Sequence, residues 1–162
     1  MYIRKRVRGQ DDPVLINMVI KQFKVKNEVI TAIIEQAHEI LVVCDEQDTI
    51  VGFVSYRFKL LDMVYVDYVV LDEEHQGRGI ASKFLPVFEK HCLKQGIRVI
   101  YGTVDSDNTD ALRLFERWGF TVKGQLGSSV IIEKHLQEIR NKNAPPPYVK
   151  KLSEPPGLTR NK

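Results

Sequence analysis

The residues with the plainest chemical potential lie in the run Gln76-Gly77-Arg78-Gly79-Ile80-Ala81. Two glycines bracket an arginine, and an apolar periodic segment (Ile80, Phe84, Leu85, Val87, Phe88) begins directly after them. A helix that starts at a glycine-rich loop presents backbone N–H groups without helical partners and the positive end of its dipole. The glycines permit a ligand to approach the backbone closely, and Arg78 adds a cation at the same place. The guest suited to this arrangement is a phosphate or pyrophosphate. Two familiar phosphate loops fit poorly. After Gly79 the order is Ile80-Ala81-Ser82-Lys83, which is not the Gly-Lys-Ser/Thr of a P-loop. Ser82 stands where a dinucleotide fingerprint needs its third small residue, and no clear strand-end acid follows about 20 residues on.

Such a loop has to be positioned by a strand in front and a helix behind. Residues 63–71 are rich in β-branched and aromatic side chains, as in a strand covered on both faces, and residues 72–76 form a polar turn. The helix behind spans residues 79–95; Pro86 should bend it and Gly96 should end it. The rest of the chain reads as further elements of the same size. Residues 2–8 alternate as a half-buried strand. Asp11-Asp12-Pro13 starts a helix with Asp as N-cap, and Asn27 starts a second. Residues 40–45 and 49–61 form a hairpin, and Gly52 inside it signals a close approach of helix or backbone. A strand at residues 98–104, a helix from Asn108 to the Trp118-Gly119 stop, and strands at 120–125 and 129–136 complete the series.

At 162 residues with 43% hydrophobic content, the chain is sized for one domain with a genuine core. We expect that domain at residues 1–137 and a proline-rich basic tail at 138–162. The net charge of +3 is far from that of a dedicated nucleic-acid binder. Basic clusters at Arg4, Lys5, Arg6 and Arg8, and at Lys142, Lys150 and Lys151, read as a solvated strand face and tail; association with nucleic acid is the rival reading and the less favoured. Cys44 and Cys92 fall on an apolar strand and a helix, which suits small core residues in a reducing compartment. His38, His75, His91 and His135 show no metal-ligand spacing, so no metal is expected. Without an apolar leader or a run of about 18 apolar residues, the expectation is a cytoplasmic protein without membrane contact.

A third phosphate loop fits well. Gln76-Gly77-Arg78-Gly79-Ile80-Ala81 resembles the Gln/Arg-x-x-Gly-x-Gly/Ala pyrophosphate loop of the GNAT superfamily of acyl-CoA-dependent N-acyltransferases, and it follows a strand of the right kind. A second block, Asn108-Thr109-Asp110-Ala111-Leu112-Arg113-Leu114-Phe115-Glu116-Arg117-Trp118-Gly119-Phe120, resembles that family's Asn-x-x-Ala-x-x-Leu-Tyr-x-x-x-Gly-Phe segment at the expected distance. The resemblance implies an α/β (α+β) fold, a mixed and mostly antiparallel central sheet flanked by about four helices.

It also implies an enzyme: an acetyl-CoA-dependent N-acetyltransferase working by direct transfer to a primary amine, small molecule or protein. The strand at 63–71 and the strand at 98–104 would splay, exposing backbone groups at Val69, Val70 and Leu71 to the pantetheine arm of acetyl-CoA. Gln76, Gly77, Arg78, Gly79, Ile80 and Ala81 would hold the pyrophosphate, with Asn108 and Phe115 against the same co-substrate. Direct transfer needs a neutral amine, whereas a primary amine is mostly ammonium at neutral pH. Asp67 is therefore the candidate proton acceptor, with Tyr65 second; regular alternation puts Tyr65, Asp67 and Val69 on one face and Tyr68 on the other unless a bulge intervenes. Phe23 and Lys24 are candidates for the acceptor wall. Phe115 departs from the family's frequent tyrosine and has no proton to give to the leaving thiolate. That departure motivates an alternative, a CoA-binding module that regulates or assembles without catalysis. Dimers are common in the fold, so a homodimer belongs among the expectations.

Overall fold

The strand β2 (Glu39–Cys44) shows how deeply the sheet is covered. Ile40, Val42 and Cys44 pack on one side with Leu15, Met18, Val19, Ile30 and Ile34, while Leu41 and Val43 pack on the other with Phe84, Leu85 and Phe88. Alternate side chains thus enter separate cores, the arrangement that a strand of nearly continuous apolar residues requires. The first group comes from α1 (Asp12–Gln22) and α2 (Asn27–Gln36), the second from α3 (Ile80–Lys94). The computed structural model describes residues 1–137, apart from the side chains of Phe58 and Lys59. The proline-rich segment expected at 138–162 lies outside the described residues.

Among the described residues the sheet has seven strands, in the order β1-β2-β3-β4-β5-β7-β6. The remaining ones are β1 (Tyr2–Lys5), β3 (Ile50–Leu60), β4 (Met63–Leu71), β5 (Val99–Asp105), β6 (Thr121–Leu126) and β7 (Ser129–His135), and α4 (Thr109–Arg117) follows β5. Every neighbouring pair is antiparallel except β4 and β5. The mixed, mostly antiparallel sheet with four α-helices is the expected architecture. Gly52 sits where a Cβ would come within 2.6 Å of the Val70 carbonyl oxygen, so the close approach is to the neighbouring strand.

Two expectations about the N-terminal part are corrected. Asp11 does not cap α1 with its side chain; it is buried, takes two contacts from the Arg4 guanidinium at 2.7 and 3.1 Å, and accepts from the Val7 N–H. A guanidinium fork against the buried carboxylate outcompetes the orphan N–H groups of a helix end, which water can reach. The basic first strand is likewise only in part a solvated face: Lys5 and Arg8 are exposed, Lys5 meeting Glu39 at 2.6 Å, but Arg6 is 6% exposed, 3.3 Å from Asp12, and donates to the Ile34 carbonyl. Both cysteines are buried and unpaired, as expected of core residues.

Candidate active site

The one parallel junction of the sheet comes apart. β4 and β5 pair only at Met63/Val99, Val64/Ile100 and Tyr65/Tyr101, although β4 continues to Leu71 and β5 to Asp105. Beyond Tyr65 the edge of β4 that faces β5 therefore carries backbone groups outside any ladder. The opening leads into two cavities, of about 760 and 510 Å³. Gln22, Phe23, Val69, Phe84, Asn108, Ala111, Phe115 and Trp118 line both, so they form one cleft through the sheet.

The smaller cavity is walled by Val69, Val70, Leu71, Gln76, Gly77, Gly79, Ile80, Ala81, Asn108 and Phe115, which brings together every residue expected against the co-substrate but one. Arg78 is exposed and lies outside the wall. Gly77 and Gly79 both have φ of +72°, with open space around each, so the left-handed backbone rather than crowding explains the glycines. No side chain caps α3, and its first N–H groups remain available to an anion. Leu71 differs from expectation: its carbonyl accepts from the side-chain amides of Gln22 and Gln76 and is not open to a ligand in this arrangement. Asn108 caps α4, its Oδ1 accepting from Ala111 N–H at 3.2 Å, and also reaches the cleft. Phe115 stands edge-on to Trp118 and Phe120. The helix that carries it buries no residue completely, because its apolar side borders the cleft.

The larger cavity lies toward α1 and α2, and Phe23, Lys24, Tyr65, Asp67 and Tyr68 line it. Its geometry depends on a bulge. Ser55 pairs with Tyr68 but Tyr56 with Val66, so Asp67 is the extra residue on β4. Before the bulge Val64 and Val66 pack on the α3 side; after it Val69 does, while Tyr68 and Val70 face α1 and α2. The regular alternation expected across Tyr65, Asp67 and Val69 is thereby broken. Val69 belongs to the opposite face, and Tyr68 joins the acceptor-side cavity, its ring edge-on to Phe23 at 5.8 Å.

Asp67 is 4% exposed and its Oδ1 lies 2.6 Å from Arg57 Nε. Its Oδ2 is buried without a hydrogen-bond partner among the described residues. Burial raises the Asp67 pKa, and the Arg57 charge offsets only part of that rise. Tyr65 Oη is 2.8 Å from Thr103 Oγ1 across the splayed junction, and the Arg57 guanidinium sits 5.7 Å from the Tyr65 ring. Arg57, Gln22 and Thr103 were not readable as site residues. Each reaches the cleft only through strand pairing or the packing of α1 on the sheet.

A sequence profile described as the Acetyltransferase (GNAT) family matches residues 15–120. The chain belongs to this family. An acetyltransferase of Agrobacterium fabrum, Atu2258, is 42% identical over 64 residues, 40% of this chain and 45% of the relative. The spermine/spermidine N(1)-acetyltransferase of Bacillus subtilis is 31% identical over 75 residues, 44% of this chain and 49% of the relative. The chain therefore spans about half the length of these relatives. Among solved structures, a GNAT family acetyltransferase from Elizabethkingia anophelis with acetyl-CoA bound superposes with a TM-score of 0.71 at 13% identity, over 83% of this chain and 97% of that one. Among the described residues no helix is long and apolar enough to cross a membrane, and no group of three or more acidic, His or Cys side chains could hold a metal.

Proposed function

We propose that this protein transfers the acetyl group of acetyl-CoA directly to a primary amine, with Asp67 taking the amine's proton. The observation that carries the reading is the buried, unpartnered Asp67 Oδ2 on the wall of a cleft that runs through splayed strands to a glycine loop at a helix start. The smaller cavity fits the co-substrate in kind: an anion site at the N-terminus of α3, exposed β4 backbone for an amide-rich arm, and an apolar wall at Phe115 and Ala111. In this reading the ammonium gives a proton to Asp67, the free nitrogen pair forms the C–N bond at the thioester carbonyl, and the C–S bond breaks. The thiolate leaves, and the second proton that the nitrogen sheds on becoming an amide reaches it through water, since Phe115 has none to offer. A raised Asp67 pKa makes the carboxylate a better base than an exposed one.

Acetyl-CoA or CoA at saturating concentration should raise the melting temperature, and amines should then release free thiol from acetyl-CoA. A thermal shift without thiol release from any amine would favour the CoA-binding module. No shift with either ligand would remove the co-substrate site itself.

A further inference from the structure

The acceptor-side cavity has an apolar corner that the fold builds but does not fill. α1 ends at Gln22, whose side-chain amide donates to the Leu71 carbonyl and ties the helix end to β4. The chain then runs extended through Phe23. Its N–H donates to the Val19 carbonyl at 2.7 Å, and its own carbonyl accepts from Val25 N–H at 2.6 Å. The Phe23 ring is thereby set edge-on to Tyr68, the residue after Asp67, with centroids 5.8 Å apart. Val25 and Ile33 continue the same wall. Phe23 nevertheless stays 38% exposed. A ring held on a cavity wall and left in water adds nothing to folding through its open face, but that face is stabilised by an apolar guest.

The charges around the cavity do not suit a guest with many of its own. Among the described residues they are Lys24, Arg57, Asp67 and Asp105, two of each sign. Asp67 already faces Arg57 at 2.6 Å, and Asp105 accepts from the Ser129 hydroxyl at 2.9 Å. No surplus of negative charge is present to draw in a polycation.

We infer that the amine acceptor is a monoamine with an uncharged, apolar body. Its nitrogen reacts at the splayed junction beside Asp67, and its body lies along Tyr68, Phe23, Val25 and Ile33. This rests on the transferase reading above, which leaves the acceptor open. Phe23 is then a specificity-determining residue, away from the reacting atoms. A second ammonium at the far end of the body would leave water for a stretch of wall that carries no carboxylate and would approach Lys24.

The test is thiol release at saturating acetyl-CoA from two pairs of amines, with spermidine as the polycation. Hexylamine and 1,6-diaminohexane differ in the charge at the far end; 2-phenylethylamine and ethylamine differ in the ring. Hexylamine should exceed 1,6-diaminohexane, and 2-phenylethylamine should exceed ethylamine, about ten- to hundredfold in kcat/KM, the worth of burying a few methylenes or a ring. Phe23→Ala should remove most of the advantage of 2-phenylethylamine through a higher KM and leave ethylamine, too short to reach the ring, unchanged. An equal loss toward both would mean a structural role and overturn the assignment of Phe23. Val25→Ser probes the same wall if Phe23→Ala does not fold. Equality or the reverse order in either pair, or spermidine turned over as well as hexylamine, would overturn the inference and leave the transferase reading standing. Acetyl-CoA binding without thiol release from any of these compounds would also overturn it; release from some other amine would then spare the transferase reading, and release from none would end it.

Discussion

Asp67 concentrates the functional argument in one carboxylate, and its surroundings give it opposite effects on activity and stability. Burial outweighs the help of Arg57 and raises its pKa, so the ionised form is the costly one in the folded protein. A raised carboxylate pKa means the folded state binds the proton more tightly than the unfolded chain. The stability linked to this group is present at low pH and declines as pH rises through the folded value. Asp67→Asn, which is neutral and of the same shape, should therefore melt at or above the wild-type temperature at pH 8 while kcat falls about 10²- to 10⁴-fold. The acid limb of the wild-type kcat/KM profile should lie above the ordinary carboxylate value, since only the ionised form accepts a proton. An Asn variant with unchanged turnover would show that Asp67 is a structural partner of Arg57 and no more.

At the scale of elements, the strand-loop-helix unit around Gly77 and Gly79 was legible because it is written locally. The period of the apolar residues, the two glycines and the helix stop all lie in one stretch, and the boundaries of α3 fall within a residue of the expected ones. The bulge at Asp67 was not legible, because an extra residue shows only against the register of β3. Asp11 misled for a related reason: an acid before proline reads as a cap, but its partner Arg4 arrives from another element. The two kinds of glycine make a prediction that separates local from tertiary demands. Gly79→Ala meets open space and pays only the left-handed backbone, about 1–2 kcal/mol, and it should also weaken the acetyl-CoA thermal shift by distorting the start of α3. Gly52→Ala has an ordinary φ but would put its Cβ 2.6 Å from both the Val70 carbonyl and the Leu71 side chain, so it should lose about 1–3 kcal/mol to overpacking. Urea denaturation of the two variants checks both figures. A Gly52→Ala protein as stable as wild type would contradict the contact.

At the scale of the whole molecule, the sheet and the α3 layer are held in register by a polar junction behind the cleft wall, where Tyr56 packs on Phe88. Glu39 on β2 is 12% exposed, meets Lys5 of β1 and His91 of α3 at 2.6 Å each, and accepts from the hydroxyl of Tyr56 on β3. Burial alone would raise its pKa, but the hydrogen bonds from Lys5, Tyr56 and His91 outweigh burial and bring it to about 2. Because the folded value lies below the unfolded one, the unfolded chain binds the proton more tightly. The stabilisation is complete above about pH 4.5, the ordinary value, and disappears as pH falls toward 2. Wild-type protein should lose melting temperature steeply across that window. Asp11, held low by Arg4, and Glu133, held low by Tyr101, contribute in the same direction. Glu39→Gln keeps the shape and removes the titration, so its melting temperature should be lower at pH 7 and should fall less steeply between pH 4.5 and 2. The loss at pH 7 should come mainly from the Tyr56 and His91 contacts, about 1.5–3 kcal/mol for each hydrogen bond to a charged group, because Lys5 is exposed and its pair is screened. Melting curves of the two proteins across this range decide the matter: parallel pH slopes would mean that the acid sensitivity arises at Asp11 and Glu133, and that the junction between the sheet and α3 is held by packing rather than by charge.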